Sequence, residues 1–561
     1  MPLGEGMSIF AFGDAPLPKT EDLFLHLPSI DEARQLLKTY FDFAFPTHRF
    51  LHQPTVEIWL EEFYKDKSSP AIRPGARERF AIVLLVLAHA TLYLPNRSTD
   101  GRVASDSANL YAASENQLSR ETGGVRLSAV QARLAQCFYL LAQSRVNQCW
   151  NLFGTTTRLA LAIGIHRKQQ DVSHQSDTAA MIDQECRRRT LWAAYSLDNY
   201  LGAQLGRPRA LHDRDIDQDL PLCVDDYLLT SNSFGSPNPQ TGAGQSVMLA
   251  PIYHAKLSRI MSTILTKQYG VTRLNWDEQV SLTVDHLKLI SDWRCNITDF
   301  LDAQWSTLGI MKHPFQRQCT VLNLASCYTI ILTTRPLLLY GKRSLQSSSA
   351  EKHGHARESM RACLDAAVRI IKIVHNLCSK SKMYEAFWFT YYYTFTALMV
   401  LYVFIIEHRS EAEEDWQTHL AQADACSSAL SKTVPSSSFA ARYGVVLEEL
   451  RIEASRRLAL GDQSQAHTRL GPVDASNHAR DTRRADGAVN HEEQQYSGLQ
   501  HSFSEFPFAL QDQDFDVVSP SSFLAGVSGW QDIDTLLNPV LDLGTADWSM
   551  TWPQHPGPPM T

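Results

Sequence analysis

Residues 183–221 read DQECRRRTLWAAYSLDNYLGAQLGRPRALHDRDIDQDLP, from Asp183 to Pro221. The first two-thirds predict a helix. Leu191, Ala194, Tyr195, Leu201, Gly202 and Leu205 fall on one face of a 3.6-residue period. Asp183 is placed to cap the start. Gly206 followed by Pro208 reads as the stop, because glycine takes the left-handed conformation and proline cannot continue a helix. Asp198 interrupts the apolar face, and a carboxylate there is costly unless paired and hydrogen-bonded. The Arg187–Arg189 run and Arg207 are near in sequence. They predict a buried structural ion network joining the helix to the Gly-Arg-Pro turn. A perturbed general acid or base is the competing reading. It is the weaker one: no nucleophile, paired carboxylate or phosphate loop lies alongside, and neighbouring arginines would keep the carboxylate ionised.

Working outward, helical periodicity dominates. Ser29 is placed to cap a helix over 30–43, with Ala33, Leu36, Leu37 and Tyr40 on one face. The segment FPTHRFLHQPT reads as extended, and Pro54 opens the next helix. Residues 80–93 are nearly all apolar and predict a central helix, followed by a polar loop from Pro95 to Asp106. Helical patterns recur over 107–120, 127–165, 248–269, 276–302, 315–334, 355–378, 383–408, 414–433 and 438–460. The expected class is all-α: about a dozen helices, mostly antiparallel neighbours, with no fixed repeat. Residues 387–406 carry no charge and are long enough to span a bilayer. A buried core helix is the favoured reading, since the Thr and Tyr hydroxyls need partners that protein supplies more readily than lipid. No membrane partner is expected.

Charge divides the chain differently. The net charge of −8 arises from 52 basic and 60 acidic residues. From Ala485 onward there is no Lys or Arg, while eleven acids occur, so 52 basic face 49 acidic residues before that point. The region before the tail therefore lacks a basic footprint for nucleic acid. Residues 1–29 read as a loosely ordered leader, 30–460 as the helical body and 461–561 as a disordered tail. Within 496–561, acids interleave with Phe506, Phe515, Trp530, Leu536 and Trp548. Acidic–hydrophobic alternation is the composition of an activation segment: repulsion between carboxylates keeps aromatic groups solvated, ready for capture in a partner's apolar groove. An uninformative acidic tail is the alternative.

Other chemistry finds little support. The ten cysteines contain no CxxC and fit reduced, mostly buried thiols. In DRDIDQDLP the acids alternate, but Gln218 and Val224 stand where a calcium loop needs Gly and Glu, which leaves a solvated turn tied back to Arg207, Arg209 or Arg214. His48 and His52 form no helical metal pair, because Pro46 and Pro54 bracket them. No phosphate-loop, dinucleotide or nucleophile-elbow motif occurs. No catalytic residue, cofactor or metal site is expected, and the chain does not read as an enzyme.

Three stretches carry a resemblance. The first is Cys149-Trp150-Asn151-Leu152-Phe153-Gly154, then Arg158-Leu159-Ala160 and Gly164-Ile165-His166-Arg167. The second runs from Glu185 through Arg187, Arg188 and Trp192 to Asp198. The third begins at Gly206-Arg207-Pro208, passes Asp215 and ends at Leu220-Pro221. In order and spacing they resemble the regulatory, or middle homology, domain of fungal binuclear zinc cluster transcription regulators. FPTHRFLHQPT and Thr333-Thr334-Arg335-Pro336-Leu337 resemble further elements of that family, so the likeness covers about 30–460. Leu191 and Asn199 depart from the usual Trp and Arg.

The resemblance implies a nuclear regulator of RNA polymerase II-dependent genes, with metabolic or secondary-metabolite clusters as targets. It implies contact with the transcription machinery through the tail, homo- or heterodimers and a small-molecule effector. The family's six-cysteine zinc cluster would supply promoter DNA binding. No cysteine precedes Cys137, so zinc and DNA contact are expected only through an upstream segment or a partner. The alternative is a metabolite-binding or inhibitory co-regulator that pairs with a complete zinc cluster factor.

Overall fold

A computed structural model describes residues 14, 27–65, 74–94, 101–168, 178–229, 246–272, 274–306, 313–339, 349–408, 416–432, 444, 446–456 and 458. The described residues form α-helices joined by turns, and no strand occurs among them. The expected all-α class is therefore observed. The activation-segment residues Phe506, Phe515, Trp530, Leu536 and Trp548 lie outside the described residues.

The N-terminal helices are α1 (Ile30–Thr39), α2 (Gln53–Lys65), α3 (Ala76–Thr91) and α4 (Gly101–Ser119). Ser29 starts α1 with a capping box. Its hydroxyl accepts the Glu32 amide at 3.3 Å, and its own amide donates to the Glu32 carboxylate at 2.8 Å. α3 is buried from Phe80 to Thr91 and packs against α1, α2, α4 and α5 (Leu127–Ala142), as its apolar run predicts. The polar loop expected over 95–106 ends sooner, because α4 already begins at Gly101.

α6 (Val146–Ala162) pairs with α5. Then comes α7 (Thr178–Leu205), the helix of the opening stretch. It differs from expectation in two ways. It begins five residues before Asp183, which therefore caps nothing and instead pairs with Arg187 at 2.7 Å. Residues 189–201 are also buried all round, not along one stripe. A helix covered on every side lies inside a larger body. Gly206 closes it at φ +61°, as its sequence position requires.

α8 (Leu249–Gln268), α9 (Trp276–Cys295), α10 (Thr298–Ser306), α11 (His313–Leu339), α12 (Ala350–Ser379), α13 (Trp388–His408) and α14 (Trp416–Ser431) follow. α12 lies against α9, α11, α13 and α14. Residues Trp388–Ile406 are 89% buried within the protein, which bears out the core-helix reading. A second helix, Pro314–Leu338, is longer and less apolar but also long and apolar enough to cross a membrane. It too is mostly buried. Pro336 sits inside α11, where the periodicity had ended the helix at 334. All ten cysteines are free. Seven are buried, Cys378 is half-buried, and Cys223 and Cys295 are exposed.

Candidate functional site

The arginine run of α7 splits by helical phase. Arg187 is half-buried and bonded to Asp183. Arg188 stands 3.8 Å from Glu185 and 3.9 Å from Asp219. Arg189 points inward and is fully buried. Its guanidinium donates to Glu185 at 2.9 Å and to Asp226 at 2.5 Å. Asp226 sits in a one-turn 3-10 helix, Asp226–Leu228. It also accepts the Gln53 amide at 3.0 Å, and its carbonyl lies 3.0 Å from His52 Nε2. One carboxylate thus fastens the FPTHRFLHQPT segment to α7. Burial alone would raise the Asp226 carboxyl; Arg189 and Arg49 outweigh it and hold the group below its ordinary range. Glu185 has the same arginine, but burial prevails and raises it.

Asp198 is buried, as expected, but its partners are different. It accepts the amide of Ala210 at 3.0–3.1 Å and that of Leu211 at 2.7 Å. None of the ion pairs described includes it. Burial pushes its carboxyl up to about 6, against the pull of those amides and of Arg209. The expected arginine-depressed carboxylate is thus corrected. Backbone N–H groups hold the turn, and the buried ion network is centred on Arg189 instead.

 The two groups are distinct: Asp198 serves the turn after α7, while Glu185, Arg189 and Asp226 serve the segment before α2.

The remaining motif residues reinforce that turn. Arg207 donates to Asn147 at 2.7 Å and lies over Trp150 at 4.7 Å, which ties the turn to α6. Arg209 donates to Asn199 at 2.9 Å, to Thr266 at 2.7 Å and to Ser262, which ties it to α8. It crosses Gly202 so closely that a Cβ there would meet its Cγ at 2.8 Å. Trp192 donates its indole N–H to the Asp219 carbonyl at 2.7 Å. The acids of DRDIDQDLP do tie back: Asp215 lies 3.9 Å from Arg214, one of the expected arginines, while the others find different partners. Asp217 lies 3.3 Å from Arg167, and Asp219 lies 2.9 Å from Lys168. Asp213 accepts from Tyr195 at 2.6 Å and from Ser262. The His166 carbonyl accepts the Asp217 amide at 3.2 Å. Pro221 is buried, whereas Pro208, Asp215 and Arg158 are exposed, Arg158 beside Gly154.

A second constellation escaped the sequence reading. A cavity of about 90 Å³ opens among the segment after α1 and the helices α3, α5, α7, α8, α11 and α13. Phe45, Phe138, Phe389 and Tyr393 line it, together with His48, His254 and Arg317. The rings of His48 and His254 are 4.9 Å apart, and Tyr200 Oη lies 2.6 Å from His254 Nε2. Burial lowers His48 to about 4 and His254 well below its ordinary value. His48 Nε2, His254 Nδ1 and Arg317 Nε and Nη1 are buried with no hydrogen-bond partner. Arg317 lies over the Phe387 ring at 3.6 Å. These residues come from distant parts of the chain, so spacing gave no hint of their meeting.

Residues 37–294 match the fungal specific transcription factor domain. The matched stretch includes the Arg189 ion cluster, the turn after α7 and α8. Curated relatives agree. Activator of stress genes protein 1 of Candida albicans is 24% identical over 70% of this chain and 42% of its own length. Activator of stress genes 1 of Saccharomyces cerevisiae is 24% identical over 70% of this chain and 40% of its own length. Pyrimidine pathway regulatory protein 1 of the same yeast is 26% identical over 34% of this chain and 20% of its own length. The chain thus spans less than half the length of these relatives. The domain family and these relatives are transcription regulators, not enzymes.

Proposed function

We propose that this chain is the regulatory and activating part of a nuclear fungal transcription regulator. The helical body of 30–460 serves as the regulatory unit, and the acidic, aromatic segment 496–561 recruits the transcription machinery. One observation carries the reading: the domain match coincides with signature residues that are turned to internal contacts, Arg189 on Asp226 and Asp198 on the turn amides. Such residues hold a scaffold and act on no substrate. A metabolic gene set is the proposed target, a choice supported by the relative named for the pyrimidine pathway. Promoter contact is proposed to run through a zinc cluster segment or a partner that bears one.

The test fuses residues 496–561 to a neutral DNA-binding module and reads a reporter gene. Activation is expected, together with its loss when Phe515 and Trp530 both become alanine. An inert fusion, or one indifferent to the two aromatics, would remove the activation segment from this reading.

A further inference from the structure

The cavity beside Arg317 is chemically unfinished. A buried cation is costly unless paired. Around Arg317 the groups acting on the charge are Tyr93 and Tyr384, with no carboxylate among them. Burial pushes the guanidinium down to about 10, which still leaves it charged at neutral pH. The Phe387 ring offsets part of the cost through a cation–π contact at 3.6 Å. Two of its nitrogens remain without partners. Across the cavity, His254 Nδ1 is a third open position; it carries a proton when Tyr200 donates to Nε2, the assignment that a neutral imidazole allows.

We propose that this cavity is a binding site for a small organic monocarboxylate. The carboxylate accepts from Arg317 and from His254 Nδ1, and the apolar end lies among Phe45, Phe138 and Phe389. A carboxylate matches because it brings one negative charge and acceptor lone pairs, and both are missing. A phosphate would bring more charge than one arginine and neutral imidazoles balance. Size sets the class further. At about 90 Å³ the space is smaller than a cavity of roughly 150 Å³ that takes the six carbons of benzene, so the occupant has about four to six non-hydrogen atoms. Its role as an effector rests on the regulatory reading above; its binding does not.

Titration calorimetry and thermal shift on the full chain test the proposal, with acetate, pyruvate and butyrate as probes and hexanoate, too large for the space, as the size control. 1-Butanol and butylamine are the matched neutral and cationic controls. Butyrate or pyruvate is expected to bind at least about tenfold more tightly than either control, a difference of about 1.4 kcal/mol. Arg317→Met should abolish that preference and leave the unliganded protein as stable as before or more so, because an unpaired cation has gone. Arg317→Lys should retain part of the binding. Phe389→Trp fills the space without touching the charge and should also block the probes. Carboxylates that bind no better than 1-butanol, or equally well to Arg317→Met, would overturn the proposal and leave a cavity for water alone. No reporter or DNA enters the measurement, so its failure and that of the activation reading are told apart.

Discussion

At the scale of single residues, two carboxylates do opposite things with the same backbone. Asp226 keeps a buried arginine company, while Asp198 gathers amides. Arg189→Met leaves Glu185 and Asp226 buried without their cation and is expected to destabilise the protein by about 3–5 kcal/mol. Urea unfolding checks this; a loss under 1 kcal/mol would mean that the cluster is solvated. Asp198→Ala strands the amides of Ala210 and Leu211, at about 1–3 kcal/mol for each buried group left unsatisfied. The sequence shows Asp198 to be out of place on an apolar face, and that was legible. Its partners were not, because a backbone amide has no letter of its own. Arg189 was half legible: Glu185 stands four residues before it, the spacing of a helical ion pair. Asp226, 37 residues on, gave no such sign.

Elements were easier to read, since each announces itself by period and punctuation. Ser29 with Glu32, and Gly206 with Pro208, mark helix ends where the structure has them. Gly206→Ala places a Cβ in the left-handed region and should cost about 1–2 kcal/mol. Circular dichroism melting reads the change, and an unaltered midpoint would mean that the turn relaxes freely. The start of α7 was misplaced because Asp183 looks like a cap, whereas Ala179, Ala180, Met181 and Ile182 ahead of it are compatible with a helix and continue it upstream to Thr178. The one-sided apolar face also misled: α7 is surrounded, and its Ser196, Asn199 and Gln204 are as buried as its leucines. Polar letters hide interior position when their partners are local, as with Asn199, which donates to the Tyr195 carbonyl.

For the molecule as a whole, acid sensitivity follows from buried imidazoles. Burial holds His48, His89 and His286 at about 4. Below about 6.5 the unfolded chain takes up protons that these folded groups refuse, so each removes up to about 1.4 kcal/mol per pH unit until its folded value is reached. Asp198, raised to about 6, works the other way: its folded form takes the proton first, which adds stability as pH falls from 6 toward 3.8. With His254 lowered as well, these histidines outnumber the raised carboxyls Asp198 and Glu185 and predict a net loss between pH 6.5 and 4, which denaturant midpoints at pH 7, 6 and 5 would show. A flat profile would contradict the burial of these rings. The cavity was illegible at every scale, because it arises where six helices meet the segment after α1, and no local pattern encodes such a meeting. The distribution of sulfur gives the molecule a built-in clock. An alkylating reagent will tag Cys223 and Cys295 at once, then stall. Every later adduct at the seven hidden thiols records a moment when the interior came apart, so the lag between the two bursts times the opening of the whole body.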